Sequence, residues 1–300
     1  MLISLVKRSV LALGIGMLSL PAYSEVRVFA CEPEWASLTQ ALGGEHVSIY
    51  TATSNEQDPH YIQARPSLIA KARRADLLVC TGAELEIGWL PLLLRKSGNP
   101  QIQVGRKGYF MATDTMTLLG KPKVLDRSLG DIHAAGNPHV HLDPERLLTV
   151  AERVTQTLVS IDVANSEDYQ RNLAVFSEEW KEKMVAWRSL ASPLRGQSIV
   201  VHHDNWLYLQ QWLGLNKLAA LEPKPGVPPT SSHLSGLVSQ VKQTDVYGIV
   251  YANYQDKKAA DWLSDKTGVA TLALDFSPAS GERLVQWYER LINQLVQLNH

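Results

Sequence analysis

The chain has 300 residues, a formal net charge of -1 and 45% hydrophobic residues. So balanced a charge excludes a nucleic-acid partner, because clustered basic residues supply most of the affinity for a phosphate backbone. The length accommodates two lobes at roughly 100–200 residues per domain, and most of the eight tryptophans fall at the helix-like spacing of core residues.

Residues 1–24 read as an export signal. Lys7 and Arg8 give a positive start, residues 9–20 a short apolar core, and Ala22-Tyr23-Ser24 a small-x-small cleavage site. The apolar run falls short of the roughly 20 residues that span a bilayer. No cysteine follows the site, so a lipid anchor is not expected, and the mature chain should begin near Glu25, in the periplasm.

Residues 25–165 form the first expected lobe. Strand-like runs at 26–30, 47–51, 77–80 and 102–104 alternate with helical stretches at 34–42, 67–74 and 85–96, a pattern of parallel sheet covered by helices. Cys31 and Cys80 end the first and third runs. If those strands are parallel neighbours, both sulfurs sit at one sheet edge, where an exported chain is expected to form a disulfide. Two buried thiols or a Cys-Cys metal pair are the alternatives. Residues 105–137 form a long irregular stretch, with the composition of a surface loop near a functional edge.

Asp143-Pro144-Glu145 is a helix start, with Asp as cap and Pro in the first turn. A connecting helix is expected within 166–192, carrying Tyr169, Leu173, Phe176, Trp180, Met184 and Trp187 as one apolar stripe. The second lobe, 193–300, repeats the alternation, with strands at 198–202, 217–221, 248–251 and 270–274 and helices at 205–213, 234–242, 259–267 and 281–298. Between them, 222–229 holds four prolines and reads as a rigid loop. The expected fold is α/β: two similar lobes, each a mainly parallel sheet flanked by helices, joined by one long helix.

Open parallel sheets bind ligands beyond the carboxyl ends of their strands. His60 lies in the loop after the second strand, His203 directly follows Ile199-Val200-Val201-His202, and Asp275 closes Thr271-Leu272-Ala273-Leu274. His139 lies in Gly136-Asn137-Pro138-His139, ahead of a helix start. Each alone reads as an ordinary loop, strand-end or capping residue. All four on one predicted edge, two from each lobe, point to a metal held between lobes. His202 should face away from His203 and is read as structural.

The pattern resembles the TroA/ZnuA-type periplasmic metal-binding proteins, the solute receptors of zinc and manganese ABC importers. The resemblance covers the mature chain and rests on Asp58-Pro59-His60 with Arg65-Pro66-Ser67, on Ala75-Asp76-Leu77, Gly82 and Glu84, on Asn137-Pro138-His139-Val140-His141-Leu142-Asp143-Pro144, on His203-Asp204, and on Asp275. It implies His60, His139, His203 and Asp275 as metal ligands, and a membrane permease as partner of a monomeric receptor. Family members often carry an aromatic residue where this chain has His141. The long His- and acid-rich loop of many zinc receptors is reduced here to His133 and scattered charges. His133 and His141 are therefore possible auxiliaries.

Three imidazoles and one carboxylate suit a tetrahedral, borderline cation such as Zn2+. Mn2+ or Fe2+ is the alternative, manganese preferring more oxygen ligands. A zinc hydrolase would need an open metal position and a base. No HExxH motif exists, and Glu222, the nearest candidate base, sits in the proline-rich loop. A non-enzymatic receptor is the reading of choice, with a surface adhesin carrying an incidental metal as a further alternative.

Overall fold

The computed structural model describes residues 25–124, 130 and 132–298, so the expected export signal lies outside the described residues. The first sheet contains β1 (Val26–Ala30), β2 (Val47–Thr51), β3 (Leu77–Cys80) and β4 (Tyr109–Met111), in the order β2-β1-β3-β4. The second contains β5 (Ser198–Val201), β6 (Asn216–Ala220), β7 (Val246–Ala252) and β8 (Thr271–Leu274), in the equivalent order β6-β5-β7-β8. Every pairing is parallel. In each sheet the strand order reverses at the first strand, so the chain leaves β1 and β5 at the crevice where open α/β sheets bind ligands.

Helices cover both faces, which is why the inner strands are mainly apolar, Arg27 of β1 being exposed and paired with Asp76. α1 (Pro33–Gly43), α4 (Pro144–Ile161), α5 (Ser166–Leu190) and α9 (Leu284–Gln297) lie towards the middle of the molecule. α2 (Pro66–Ala72) and α3 (Leu90–Ser97) cover the outer face of the first sheet, and α7 (Ser231–Lys242) and α8 (Lys258–Thr267) that of the second. Side chains alternate between faces: Val28 and Ala30 join the central core, Phe29 and Cys31 the outer one. In β5, Ile199 and Val201 point to the centre and Val200 outward. One continuous apolar core takes in residues of both sheets.

α4 starts where the Asp-Pro motif requires, with the Asp143 carboxylate accepting from the amides of Glu145 and Arg146. α5 links the lobes and buries Tyr169, Phe176, Trp180 and Trp187, with Leu173 and Met184 half-buried beside them. Two predicted elements are displaced. The fourth strand is 109–111 rather than 102–104, because Ile102 is buried as a loop anchor under α3. The helix expected from 85 begins at Leu90, because Gly82, Ala83 and Glu84 all take positive φ (82°, 48° and 68°) and turn the chain sharply after β3. No described helix is long and apolar enough to cross a membrane.

Cys31 and Cys80 form a disulfide between the ends of β1 and β3, with Cα atoms 4.8 Å apart.

Candidate metal centre

His60 is positioned by a short turn. Asp58 accepts from the His60 backbone amide (3.0 Å) and from its Nδ1 (2.7 Å). That bond fixes the tautomer, with the proton on Nδ1 and Nε2 as the acceptor nitrogen. Burial works against ionisation of Asp58, yet the bonds to His60 outweigh it and hold the carboxylate below its ordinary range.

His203 is oriented in the same way from the other sheet. β5 carries it to the crevice, its partner strand β6 delivers Glu222, and Nδ1 donates to Glu222 Oε2 at 2.6 Å. Glu222 Oε2 also accepts from the Gly226 amide at 3.0 Å, so the proline-rich loop holds the carboxylate in place. A carboxylate behind an imidazole is the usual support for a metal-ligating histidine, raising its basicity and aiming the far nitrogen.

His139 sits deepest, 1% exposed. Its ring centroid lies 5.8 Å from that of His60, while His60 and His203 are 6.3 Å apart. Nδ1 of His139 is enclosed without a hydrogen-bond partner. Burial, then the surrounding imidazoles, push its pKa well below 6.5, so the ring is kept neutral and ready to bind a cation. The loop bearing it is tied to the second sheet's loops: Asn137 donates to the Asp204 carbonyl (2.6 Å), and the Tyr208 hydroxyl donates to the Asn137 carbonyl (2.8 Å).

His133 enters from the irregular stretch, and its Nε2 lies 3.2 Å from Nε2 of His60. Two nitrogens bound to one tetrahedral zinc at about 2.0–2.1 Å stand about 3.3 Å apart, so this pair has the spacing of two ligands on one ion. His141 is different: buried, it donates from Nε2 to the Phe276 carbonyl (3.2 Å), and its Nδ1 faces Glu34 at 3.4 Å. Packed between Trp287 and Phe276, it joins the two lobes behind His139.

Asp275 is engaged elsewhere. Its carboxylate is ion-paired with Arg290, which also binds Glu282 (2.7 Å), and its carbonyl accepts from Trp287 Nε1 (2.9 Å). Among the described residues, the imidazoles stop short of a set whose donor atoms all lie within 4.8 Å. The triad that meets that spacing is Cys31, Cys80 and Glu86, whose sulfurs are bonded to each other. His202 is turned to the outer face, 4.0 Å from Glu222.

The sequence singles out Glu222 only as a candidate base, and does not reveal which residues orient the ligands. Glu222 lies 19 positions after His203, and only the β5–β6 pairing brings them together. Arg290, 15 positions after Asp275, is equally silent in sequence. A pair of buried acids, Glu32 after β1 and Glu86 after β3, was also unforeseen. Glu32 accepts from the Thr81 hydroxyl (3.1 Å), and Glu86 from the Thr81 and Gly82 amides (2.7 and 3.1 Å). Burial, then the neighbouring carboxylates, raise Glu32 well above its usual range, and burial pushes Glu86 up to about 7.

Residues 28–298 match the family model described as zinc-uptake complex component A, periplasmic. The manganese ABC transporter substrate-binding lipoprotein PsaA of Streptococcus pneumoniae is 23% identical over 276 residues, covering 89% of this chain and 84% of PsaA. The zinc-binding lipoprotein AdcA of S. pneumoniae strain R6 is 24% identical over 79% of this chain, which spans 47% of AdcA's length. Among solved structures, a crystal structure of ZnuA superposes with a TM-score of 0.78 at 20% identity, covering 92% of this chain and 100% of ZnuA. FpvC of Pseudomonas aeruginosa in complex with Mn2+ gives 0.76 at 18% identity, covering 92% and 98%. These likenesses carry the fold.

Proposed function

The chain belongs to the family of periplasmic zinc-uptake complex component A, and from that membership we propose that it is a metal receptor, capturing Zn2+ in the periplasm as a monomer and delivering it to the permease of an ABC importer. The observation that carries this reading is the matched pair of carboxylate-backed imidazoles, Asp58–His60 and Glu222–His203, one from each lobe. Both turn Nε2 away from the carboxylate, and the buried, neutral His139 lies within 5.8 Å of the His60 ring.

Zinc would be held by His60, His139 and His203, with Asp275 as fourth ligand once it exchanges Arg290 for the ion. His133, at ligand spacing from His60, guards the site before loading and is the candidate to share the metal in transit. The imidazole-rich donor set favours zinc over harder cations. Manganese is the second reading, favoured by the PsaA and FpvC relatives.

Metal analysis of protein purified without added metal tests the proposal, together with titrations of zinc and manganese into wild type, His60→Ala and His203→Ala. Both variants should lose most of the zinc affinity. Wild-type affinity in either variant would overturn the ligand assignment, and tighter manganese than zinc binding would overturn the metal.

A further inference from the structure

On the outer face of the second sheet, behind the imidazole cluster, lies a cavity of about 590 Å³ lined by none of the four proposed ligands. Pro228, Pro229 and Trp262 form its apolar walls, and His202 and Glu222 close its inner end. Asp256 stands at the same cavity, paired with Lys258 at 3.1 Å. His202 is more than nine-tenths buried, and its Nδ1 has no hydrogen-bond partner. Glu222 is the one residue that belongs to both places. Its Oε2 is committed to His203 and Gly226, while Oε1 lies on the side of His202, at 4.0 Å.

We propose that this cavity is a docking site for an arginine side chain of a partner protein, and that its occupation loosens the ion through Glu222. The proposal rests on the receptor reading above. A flat aromatic face with a carboxylate at its end suits a guanidinium, which stacks on indole and binds carboxylates through paired N–H donors. The floor presents Glu222, whose Oε2 takes the bonds from His203 and Gly226 while Oε1 faces His202 at 4.0 Å. Lys258, the cation in the lining, is already paired with Asp256, and the Lys266 ammonium, 5.9 Å from the Trp262 ring centroid, shows that this indole accepts a cation.

The coupling follows from the shared carboxylate. His203 binds a cation best when Glu222 draws on its Nδ1 proton. A guanidinium at Oε1 competes for that negative charge and pulls the carboxylate outward, so the imidazole becomes a poorer donor. Losing such a supporting carboxylate typically costs roughly 10–100-fold in metal affinity. An importer's receptor must hold its ion tightly alone and weakly when docked, and this contact converts docking into weaker holding. Linkage requires the reverse as well: zinc must lower the affinity for the guanidinium by the same factor.

The test uses the full mature protein, with acetyl-arginine amide as probe and acetyl-citrulline amide, its neutral isostere, as control. Zinc affinity is measured by chelator competition at rising probe concentration, and probe binding by NMR line broadening. Saturating acetyl-arginine amide should weaken zinc by roughly 10-fold or more, and the citrulline compound should not. Trp262→Ala should abolish the probe's effect with zinc affinity unchanged, and Glu222→Gln should weaken zinc and render it insensitive to the probe. Unchanged zinc affinity under saturating probe overturns the proposal, as does an equal effect in Trp262→Ala or from the citrulline compound. Failure of the protein to bind zinc at all would instead strike the receptor reading, while line broadening would still report on the cavity.

Discussion

Replacing Cys31 and Cys80 together by alanine removes the covalent link between β1 and β3, and its cost can be worked from the chain. The two residues are 49 positions apart. The loop-closure relation, about 2.1 + 1.5R ln n cal/mol/K, gives about 14 cal/mol/K for such a loop, or about 4 kcal/mol at 25 °C. Little should be lost in the folded state, because β1 and β3 are already aligned by parallel pairing from Val28–Leu77 to Ala30–Val79. Both sulfurs are fully buried among Leu68, Leu78 and Trp89, so truncation adds a small cavity term of the same sign. Guanidinium unfolding followed by circular dichroism, extrapolated linearly to water, reads the difference. The slope should rise, because the unlinked chain exposes more surface. A loss below about 1 kcal/mol with an unchanged slope would refute loop entropy as the source of the stabilisation.

Glu86→Gln bears on the buried acid pair. Burial raises the Glu86 pKa from 4.5 to about 7 in the folded chain, so the folded state binds the extra proton and wild-type stability falls as pH rises across that window. The glutamine variant should gain on wild type between pH 4.5 and 7 and stay ahead above it, and parallel stability curves would contradict the assignment. Arg290→Ala frees Asp275 from the partner that, in the proposed ligand set, it must leave before binding metal. With both side chains about a third exposed, such a pair contributes roughly 0.2–1 kcal/mol. Zinc affinity by calorimetry should therefore rise by up to about fivefold, and a fall would show that Arg290 presents Asp275 rather than withholds it. Zinc affinity should also weaken in acid, where protons compete with the metal for imidazole. His139, already neutral through burial, releases no proton, so calorimetry in several buffers should count fewer than three protons per zinc.

The places of His60 and His203 were legible because strand–helix alternation locates the carboxyl ends of strands, whereas His139 follows no strand and lies ahead of α4, 1% exposed. The Asp143-Pro144 start and the α5 stripe were legible for a similar reason, since local chemistry alone decides them. The second strand of sheet-edge logic failed at β4. Ile102 has strand propensity, but its side chain fills the outer core from a loop, and the ladder to β3 is made by Tyr109, Phe110 and Met111. The orienting acids were hidden because their effect depends on pairing across strands. Nothing in Glu222 itself says that it stands behind His203, and nothing in Asp275 says that Arg290 awaits it 15 residues later.

The apolar core that runs unbroken through both sheets, with α5 and α9 stacked by Trp180, Trp187 and Tyr288, limits how cargo can be sensed. Two halves sharing one interior cannot swing apart like jaws without exposing large aromatic surface to water. The outline of the molecule must then stay nearly constant whether it is loaded or empty. A transporter that has to tell the two apart is left to read a few loops around the rim, and metals must be sorted by the fit of donors to the ion rather than by how far the receptor shuts.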